Sequence, residues 1–465
     1  MMRWGSLRGT TTRHVVAACF LLPIGLATTC AFAQATPADF DPRSPLGCDL
    51  PSSREALNLR DALRIGLCVN PELKRAYARQ REQAAEIDVA KGAYYPTLRL
   101  TQSHSKVSKT TDYNDVFGTQ FKLRGPSSDT NLVLSWVLYD FGLRAANLEG
   151  ARSLLLASLA EQDQAYRDAV VEIVRAFMKA RYATTVAQVA AQSVDSAARS
   201  VDITQGLATG GANSRIDLLL AKNALGQAQL RKIRSDSERN ATIAELNSRL
   251  GLALTTPQTL VGDDFSALAT LEFADATRII EAAQRDPRVQ AASHMLTAAR
   301  AREAAARADG KPVVTFYSSA YKSLSPPSQA TTDVRIRGNE YGIRFEWPLF
   351  DGYARSSRAR ATMAQVQAAE AELGLTLRDT QAMLWKLYEE VDAGRKKLKL
   401  AQEMVTNAET AFGLAEGRYR SGIGSLLELL RAQQDLDNQR LESLQAANDA
   451  HTASFTLAIA LGIFH

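Results

Sequence analysis

Along the chain, stretches with a helical spacing of apolar residues alternate with short stretches in which apolar and polar residues alternate singly. A helical pattern from about Leu59 to Lys91 is followed by two strand-like segments, Thr97 to Lys109 and Thr130 to Leu138. A polar loop holding Asn114, Gly118, Gly125 and Pro126 joins them. A long helical pattern then runs from Gly142 to Val201 or a little beyond, is punctuated by Gly206, Gly210 and Gly211, and gives way to a helix from Ser214 to Leu250. The same order returns as a helix over 276–309, strands over 312–321 and 340–349, a long helix over 353–416, a turn over 417–424 and a helix over 425–461.

Positions as well as patterns repeat. Asn70-Pro71 and Pro96 return 216 positions later as Asp286-Pro287 and Pro312. Leu138-Tyr139-Asp140, Gly206, Gly211, Asp217 and Leu250-Gly251 return 211 positions later as Leu349-Phe350-Asp351, Gly417, Gly422, Glu428 and Leu461-Gly462. An ordered set of matches with one change of offset, falling in the loop between two strands, marks an internal duplication. The predicted short helices are about 50 and 55 Å long and the long ones about 90 to 100 Å. A broken helix laid against an unbroken antiparallel one, twice per chain, accounts for those lengths.

The strands point to the compartment. Tyr341, Ile343, Phe345, Trp347 and Leu349 share one face, opposite Gly342, Arg344, Glu346 and Pro348. In the first copy Leu132, Leu134, Trp136 and Leu138 share a face, as do Leu98 and Leu100 opposite Thr97, Arg99 and Thr101. An apolar face opposite a polar one suits a strand with lipid outside and water inside, and suits a half-buried soluble sheet equally. No mature helical stretch is apolar for the eighteen residues a spanning helix needs. Hydrocarbon forbids open sheet edges and four strands cannot close a barrel, so several chains must combine. Three copies give twelve strands and a lumen, whereas two give a filled eight-stranded barrel. The expected fold is a mixed α/β membrane protein: four strands contributed to a trimeric 12-stranded β-barrel, and long antiparallel helices forming an α-helical barrel around the same axis.

Composition narrows this reading. The 465 residues carry a formal charge of +5. Arg3, Arg8 and Arg13 precede a short apolar run from Val15 to Leu26 and then Ala31-Phe32-Ala33, the pattern of a secretory signal over 1–33 cut before Gln34. A lipidated Cys30 is the rival, opposed by the bulky Thr29 before it. Loss of the three arginines leaves about +2, and no basic stripe with interleaved aromatics supports nucleic-acid binding. Cys48 and Cys68 survive processing as a disulfide candidate, or as two buried thiols. His104, His294, His451 and His465 are dispersed without metal-ligand spacing, and no phosphate-binding loop or catalytic grouping is present, so neither a cofactor nor an enzyme is expected.

The chain resembles the outer-membrane efflux protein family of trimeric channel-tunnels. The likeness is carried by Ala62-Leu63 before Asn70-Pro71, Tyr94-Tyr95-Pro96, the Leu138-Tyr139-Asp140-Phe141-Gly142 and Leu349-Phe350-Asp351-Gly352 turns, and Gly417-Arg418-Tyr419-Arg420-Ser421-Gly422. The resemblance implies a homotrimer in the outer membrane of a Gram-negative bacterium, its strands in lipid and its helical tunnel in the periplasm. It implies an equatorial belt near the termini and the linker 252–275, so that 34–58 belongs to the belt, 59–251 is one repeat and 276–465 the other. A periplasmic adaptor (membrane fusion) protein and an inner-membrane transporter, an ABC exporter in the first reading, complete the assembly. The favoured branch is type I secretion, similar to the component that exports an adenylate cyclase-haemolysin toxin. Small-molecule or multidrug efflux is the alternative, and a non-pore periplasmic coiled coil the reading from a different class.

Functional residues are expected at the helix turns far from the barrel: Gly206, Gly211, Gly417 and Gly422. Threefold symmetry turns one inward carboxylate into a ring of like charges. By resemblance Glu428 belongs to an outer acidic ring at the closed mouth, and Asp217 and Tyr419 to a restraining network. The chain departs from the pattern at Arg431, where a second acid is expected, and at Gly424, where an arginine tether is expected. An Arg431–Glu428 contact, or Arg215 and Arg420 as substitute tethers, is the expected replacement. For Glu428 the other reading is an acid that complements a helix dipole.

Overall fold

The computed structural model describes residues 56–112, 120–209, 215–261, 281–326 and 334–463. Helix α1, Leu59–Val69, is capped by Asn58, whose carboxamide oxygen accepts the Asp61 N–H at 2.8 Å. It ends at Asn70, which in turn caps α2, Pro71–Gly92, by accepting the Glu72 and Leu73 N–H groups at 2.8 and 3.2 Å. The run expected to be continuous is therefore two helices. The cause is local: a residue before proline avoids the helical region, and Pro71 is suited to a first helical position. Asp286 repeats the device, accepting the Arg288 N–H at 2.9 Å at the start of α5, Pro287–Ala308. Here too a helix begins at the proline, after two helical residues, 281–282, and a short 3-10 turn, Ala283–Arg285, while the expected start at 276 lies outside the described residues.

Strands β1 (Thr97–Asp112), β2 (Gln120–Tyr139), β3 (Val313–Ser325) and β4 (Val334–Glu346) form one antiparallel sheet in chain order. The β2–β3 pairing joins the two repeats, with Leu132 opposite Ala320 and Trp136 opposite Phe316. The strands run farther from the helices than expected. Gly125 and Pro126, expected in a loop, lie within β2 opposite Val107 and Lys106. Asn114 and Gly118 lie outside the described residues. At the helix end β4 stops at Glu346, leaving Trp347 and Leu349 beyond it, and the register shifts between Val137 and Tyr139. The expected faces hold: Leu98, Leu100, Trp136, Tyr341, Ile343 and Phe345 share one face and are 42–76% exposed.

Each strand pair feeds a long helix through an aspartate turn. Asp140 accepts the N–H and Nε–H of Arg144 at 3.0 and 2.8 Å, and Asp351 those of Arg355 at 3.0 and 2.9 Å. Arg144 also reaches the Val137 carbonyl at 2.8 Å, and Arg355 that of Gly310 at 3.0 Å. Left-handed residues, Phe141 and Gly142 in one copy and Gly352 and Tyr353 in the other, swing the chain from strand to helix.

Helices α3 (Leu143–Thr209) and α6 (Ala354–Arg420) have 67 residues each, and α4 (Arg215–Arg249) and α7 (Leu426–Ala460) have 35. At 1.5 Å per residue the long pair spans about 100 Å. Helix α3 packs against α2 and α4 of its own repeat and α5 and α7 of the other, while α6 packs against α5 and α7. Their buried stripes are built of small residues. On α4, Ala221, Ala228, Ser235 and Thr242 recur every seven positions, as Gly394, Ala401, Ala408 and Ala415 do on α6. A seven-residue period keeps one stripe facing its neighbour along the whole rod. Beside that stripe α6 leaves Met363, Trp385, Leu400 and Leu414 exposed. Near the middle, Leu57, Leu59, Ile65, Phe177, Leu246 and Phe455 form the largest apolar cluster, and Leu57 bridges to Leu260.

Two outcomes are expected. Ala228→Leu places a larger side chain where Ala228 is 1% exposed and should cost about 1–3 kcal/mol, read as a lower midpoint of thermal unfolding by helical circular dichroism. His451 on α7 sits near Arg181, Tyr182 and Asn448, and burial, followed by the Arg181 charge, holds its imidazole below the ordinary histidine value. Protonation therefore favours the unfolded chain, and stability falls as pH drops below the unfolded histidine value toward the depressed one. His451→Gln should flatten that acid limb in unfolding midpoints measured across pH.

Candidate tunnel-mouth site

The end of α6 farthest from the sheet closes on itself. The Ile423 N–H reaches the Arg418 carbonyl and the Gly422 N–H the Tyr419 carbonyl, both at 3.0 Å, with Gly422 at φ +76°. This pair of bonds requires a left-handed residue, which explains the glycine. Gly424 follows, its N–H also on the Arg418 carbonyl at 3.0 Å, and a Cβ there would meet Arg418 and the Tyr419 nitrogen at 3.1 Å. A larger residue at 424 is resisted by this close approach, a physical reason for the missing arginine tether.

Ser425 then caps α7, its hydroxyl accepting the Glu428 N–H at 3.2 Å. Ser425-Leu426-Leu427-Glu428 is thus the sequence of a capping box, with Glu428 in the first turn. The Glu428 carboxylate lies 3.8 Å from Arg418. No ion pair joins it to Arg431 among the described residues, so the expected i,i+3 contact is replaced by one across the turn. Arg420 pairs with Glu416 on its own helix at 3.3 Å and, among the described residues, forms no ion pair with another helix. Arg215 opens α4 and Asp217 occupies its first turn. Gly206 and Gly417, expected in the turns, are helical, because α3 persists to Thr209 and α6 to Arg420. Gly211 lies outside the described residues.

Tyr419 does link helices. Its ring is 2% exposed, packed near Val201, Ala221, Leu426 and Leu429, with its hydroxyl 2.9 Å from that of Thr204 on α3. Thr204 donates its one proton to the Ser200 carbonyl at 2.7 Å, so Tyr419 is the donor in the pair. Farther from the mouth, Ser200 faces Gln433 at 3.5 Å, and Ser193 donates to Asp437 at 2.6 Å. Arg231 on α4 completes that rung at 3.4 Å from the second Asp437 oxygen. Asp437 and Gln433 are 9% and 7% exposed. A buried carboxylate is tolerated when it is paired and hydrogen-bonded, as here. Sequence reading found Tyr419 and missed Thr204, Ser200, Ser193, Gln433, Asp437 and Arg231. The available signal was the placement of polar side chains at positions of the small-residue stripe.

Elsewhere, Cys68 lies in α1, while Cys48 lies outside the described residues. No group of histidine, cysteine and acidic side chains among the described residues is arranged to hold a metal ion. No described helix is long and apolar enough to cross a membrane.

The sequence profile described as "Outer membrane efflux protein" matches residues 63–252 and 279–463, one span per repeat. Protein CyaE of Bordetella pertussis is 30% identical over 445 residues, 94% of this chain and 90% of that protein. The pyoverdine export outer membrane protein OpmQ of Pseudomonas aeruginosa is 25% identical over 431 residues, 88% of this chain and 85% of that one. The solved outer-membrane channel OprN superposes with a TM-score of 0.74 at 20% identity, covering 91% of this chain and 96% of its own. That fold builds a twelve-stranded barrel and a helical periplasmic tunnel only as a trimer, in the outer membrane of Gram-negative bacteria, and serves as a transport conduit without catalysis. With four strands whose apolar face is exposed, two 67-residue helices and a profile match over both repeats, this chain belongs to the outer membrane efflux protein family.

Proposed function

We propose that the chain is the outer-membrane duct of a small-molecule efflux assembly, working as a homotrimer with a periplasmic adaptor and an inner-membrane transporter. Protein export, placed first on the sequence resemblance, becomes the second reading. The observation that carries an export duct is the sheet, whose one face is apolar and exposed while the other carries Arg99, Arg344 and Glu340. Support for small molecules comes from the efflux description of the family and from the relative named for export of pyoverdine. The seven-residue stripes suit coiled-coil contacts, within the chain and between its copies. A secretory signal over 1–33 and a Cys48–Cys68 bond complete the reading, as does the division into an equatorial segment, two repeats and their linker.

In this reading the closed mouth is held by buried polar contacts. Tyr419 to Thr204, and Asp437 to Ser193 and Arg231, fasten α3 and α4 to α6 and α7. Glu428 supplies a ring of three carboxylates, each tempered by an Arg418. Opening then requires the contacts to be exchanged for others or for water, work supplied by the adaptor and transporter.

Single-channel recording of the detergent-purified protein in planar bilayers tests this. The wild type should give small cation-selective currents. Tyr419→Phe removes a hydrogen bond of about 0.5–1.5 kcal/mol, so open occupancy should rise roughly two- to tenfold. Glu428→Ala should lower cation selectivity. Absence of discrete channels would sink the duct; channels indifferent to both changes would move the gate elsewhere.

Substrate class has its own test. Cells lacking the protein should accumulate a cationic dye severalfold more than the parent while exporting an unchanged set of proteins. The reverse result would put protein export ahead.

A further inference from the structure

The apolar face of the sheet changes character along one line of the ladder. Register sets Leu100, Leu132, Ala320 and Asn339 side by side across the four strands. On the helix side of that line lie Leu98, Leu134, Trp136, Phe316 and Ile343. One row beyond it Lys322 stands directly opposite Arg337, and in the next row Arg335 stands opposite Leu324. Farther out on the first hairpin, Lys106 is opposite Pro126, Arg124 opposite Ser108 and Lys122 opposite Thr110. Because side chains alternate between faces with a period of two, all six cations share the face of the apolar band.

All six are exposed, and none forms an ion pair among the described residues. Asp112, at the far end of β1, is the one carboxylate on that face among them. The opposite face is balanced, with Arg99, Lys109 and Arg344 against Asp129, Glu340 and Glu346. There the charges find partners: Tyr317 donates to Glu340 at 2.8 Å, and Arg344 lies 4.9 Å from the centre of the Tyr317 ring. Like charges directly opposite on one face destabilise a strand pair. The Lys322–Arg337 row therefore carries a cost that nothing among the described residues offsets, on the one face that borders lipid.

Two residues of strand rise separate successive rows, about 7 Å. The first cations thus begin where the apolar band ends, on the side away from the periplasmic helices, and their long stems can follow the apolar surface while the charges reach headgroups. Arginine offers phosphate a fixed fork of donors and lysine a point charge. We propose that this belt docks the phosphate-bearing glycolipid headgroups of the outer leaflet, fixing the depth of the barrel in the membrane. The occupant must be anionic to match the unpaired cations and must carry acyl chains to lie against the adjoining apolar rows.

The test titrates the intact detergent-purified protein with bisphosphorylated lipid A and with its dephosphorylated form, counting bound lipid by native mass spectrometry. The wild type should prefer the phosphorylated lipid by about tenfold or more, given that a basic residue near a charged membrane surface is worth about 1 kcal/mol. Lys322→Gln with Arg335→Gln and Arg337→Gln should abolish the preference, and Arg99→Gln with Lys109→Gln on the opposite face should keep it. Equal binding of the two lipids by the wild type would overturn the proposal, as would a triple variant that retained the wild-type preference. Should the triple variant fail to assemble, the two-lipid comparison on the wild type decides alone.

Discussion

Backbone groups on a sheet edge cannot stay unpaired in hydrocarbon, and this chain ends its sheet with β1 on one side and β4 on the other. Four strands cannot curl far enough to pair those edges with each other, so the edges must be closed by other copies. The duplication is a means to that end: β2 of one repeat pairs with β3 of the other, giving four continuous strands from two short units. Three such sheets close a barrel wide enough for a lumen. The number of helices around the axis is then set as well, since each strand pair delivers its chain into a long helix through the Asp140 and Asp351 turns.

The helices meet a different constraint. A rod of about 100 Å cannot be held by propensity, and its contacts must repeat for as long as it runs. Small residues at seven-residue intervals on α4 and α6 supply this, letting the backbones approach closely without a bulky core. Helix α3 carries more of the burden because it touches both repeats, and its buried residues continue from Gly150 to Thr204. Helix α6 has fewer neighbours within the chain and an exposed apolar flank, the expected condition of a helix whose remaining contacts lie on other copies.

At the far end, under the proposed reading of a mouth that opens, an apolar seal would be permanent. Polar rungs within a small-residue stripe are a compromise, since each contributes little net stability while made yet leaves unsatisfied groups if only one partner is withdrawn. The rungs sit where α3, α4, α6 and α7 converge and join helices of both repeats.

Periodicity and repetition are local or nearly local signals, and from them the sequence alone determined the duplication, the four strands with their lipid-facing residues, the two long helices and the need for more than one chain. It also determined that Tyr419 and Glu428 lie by a turn. It misjudged the ends of elements wherever the pattern fell silent. Gly125 and Pro126 looked like loop because a strand solvated on both faces shows no alternation, and Gly206 and Gly417 looked like breaks because tertiary support lets a helix run through glycine. The partners at the mouth were decided only by tertiary structure. Tyr419 meets Thr204 across 215 residues, Asp437 meets Ser193 across 244, and Arg231 reaches Asp437 across 206. No periodicity within one helix encodes which face of another it will oppose, and a serine or aspartate in a stripe of alanines gains its meaning only when the facing helix is in place.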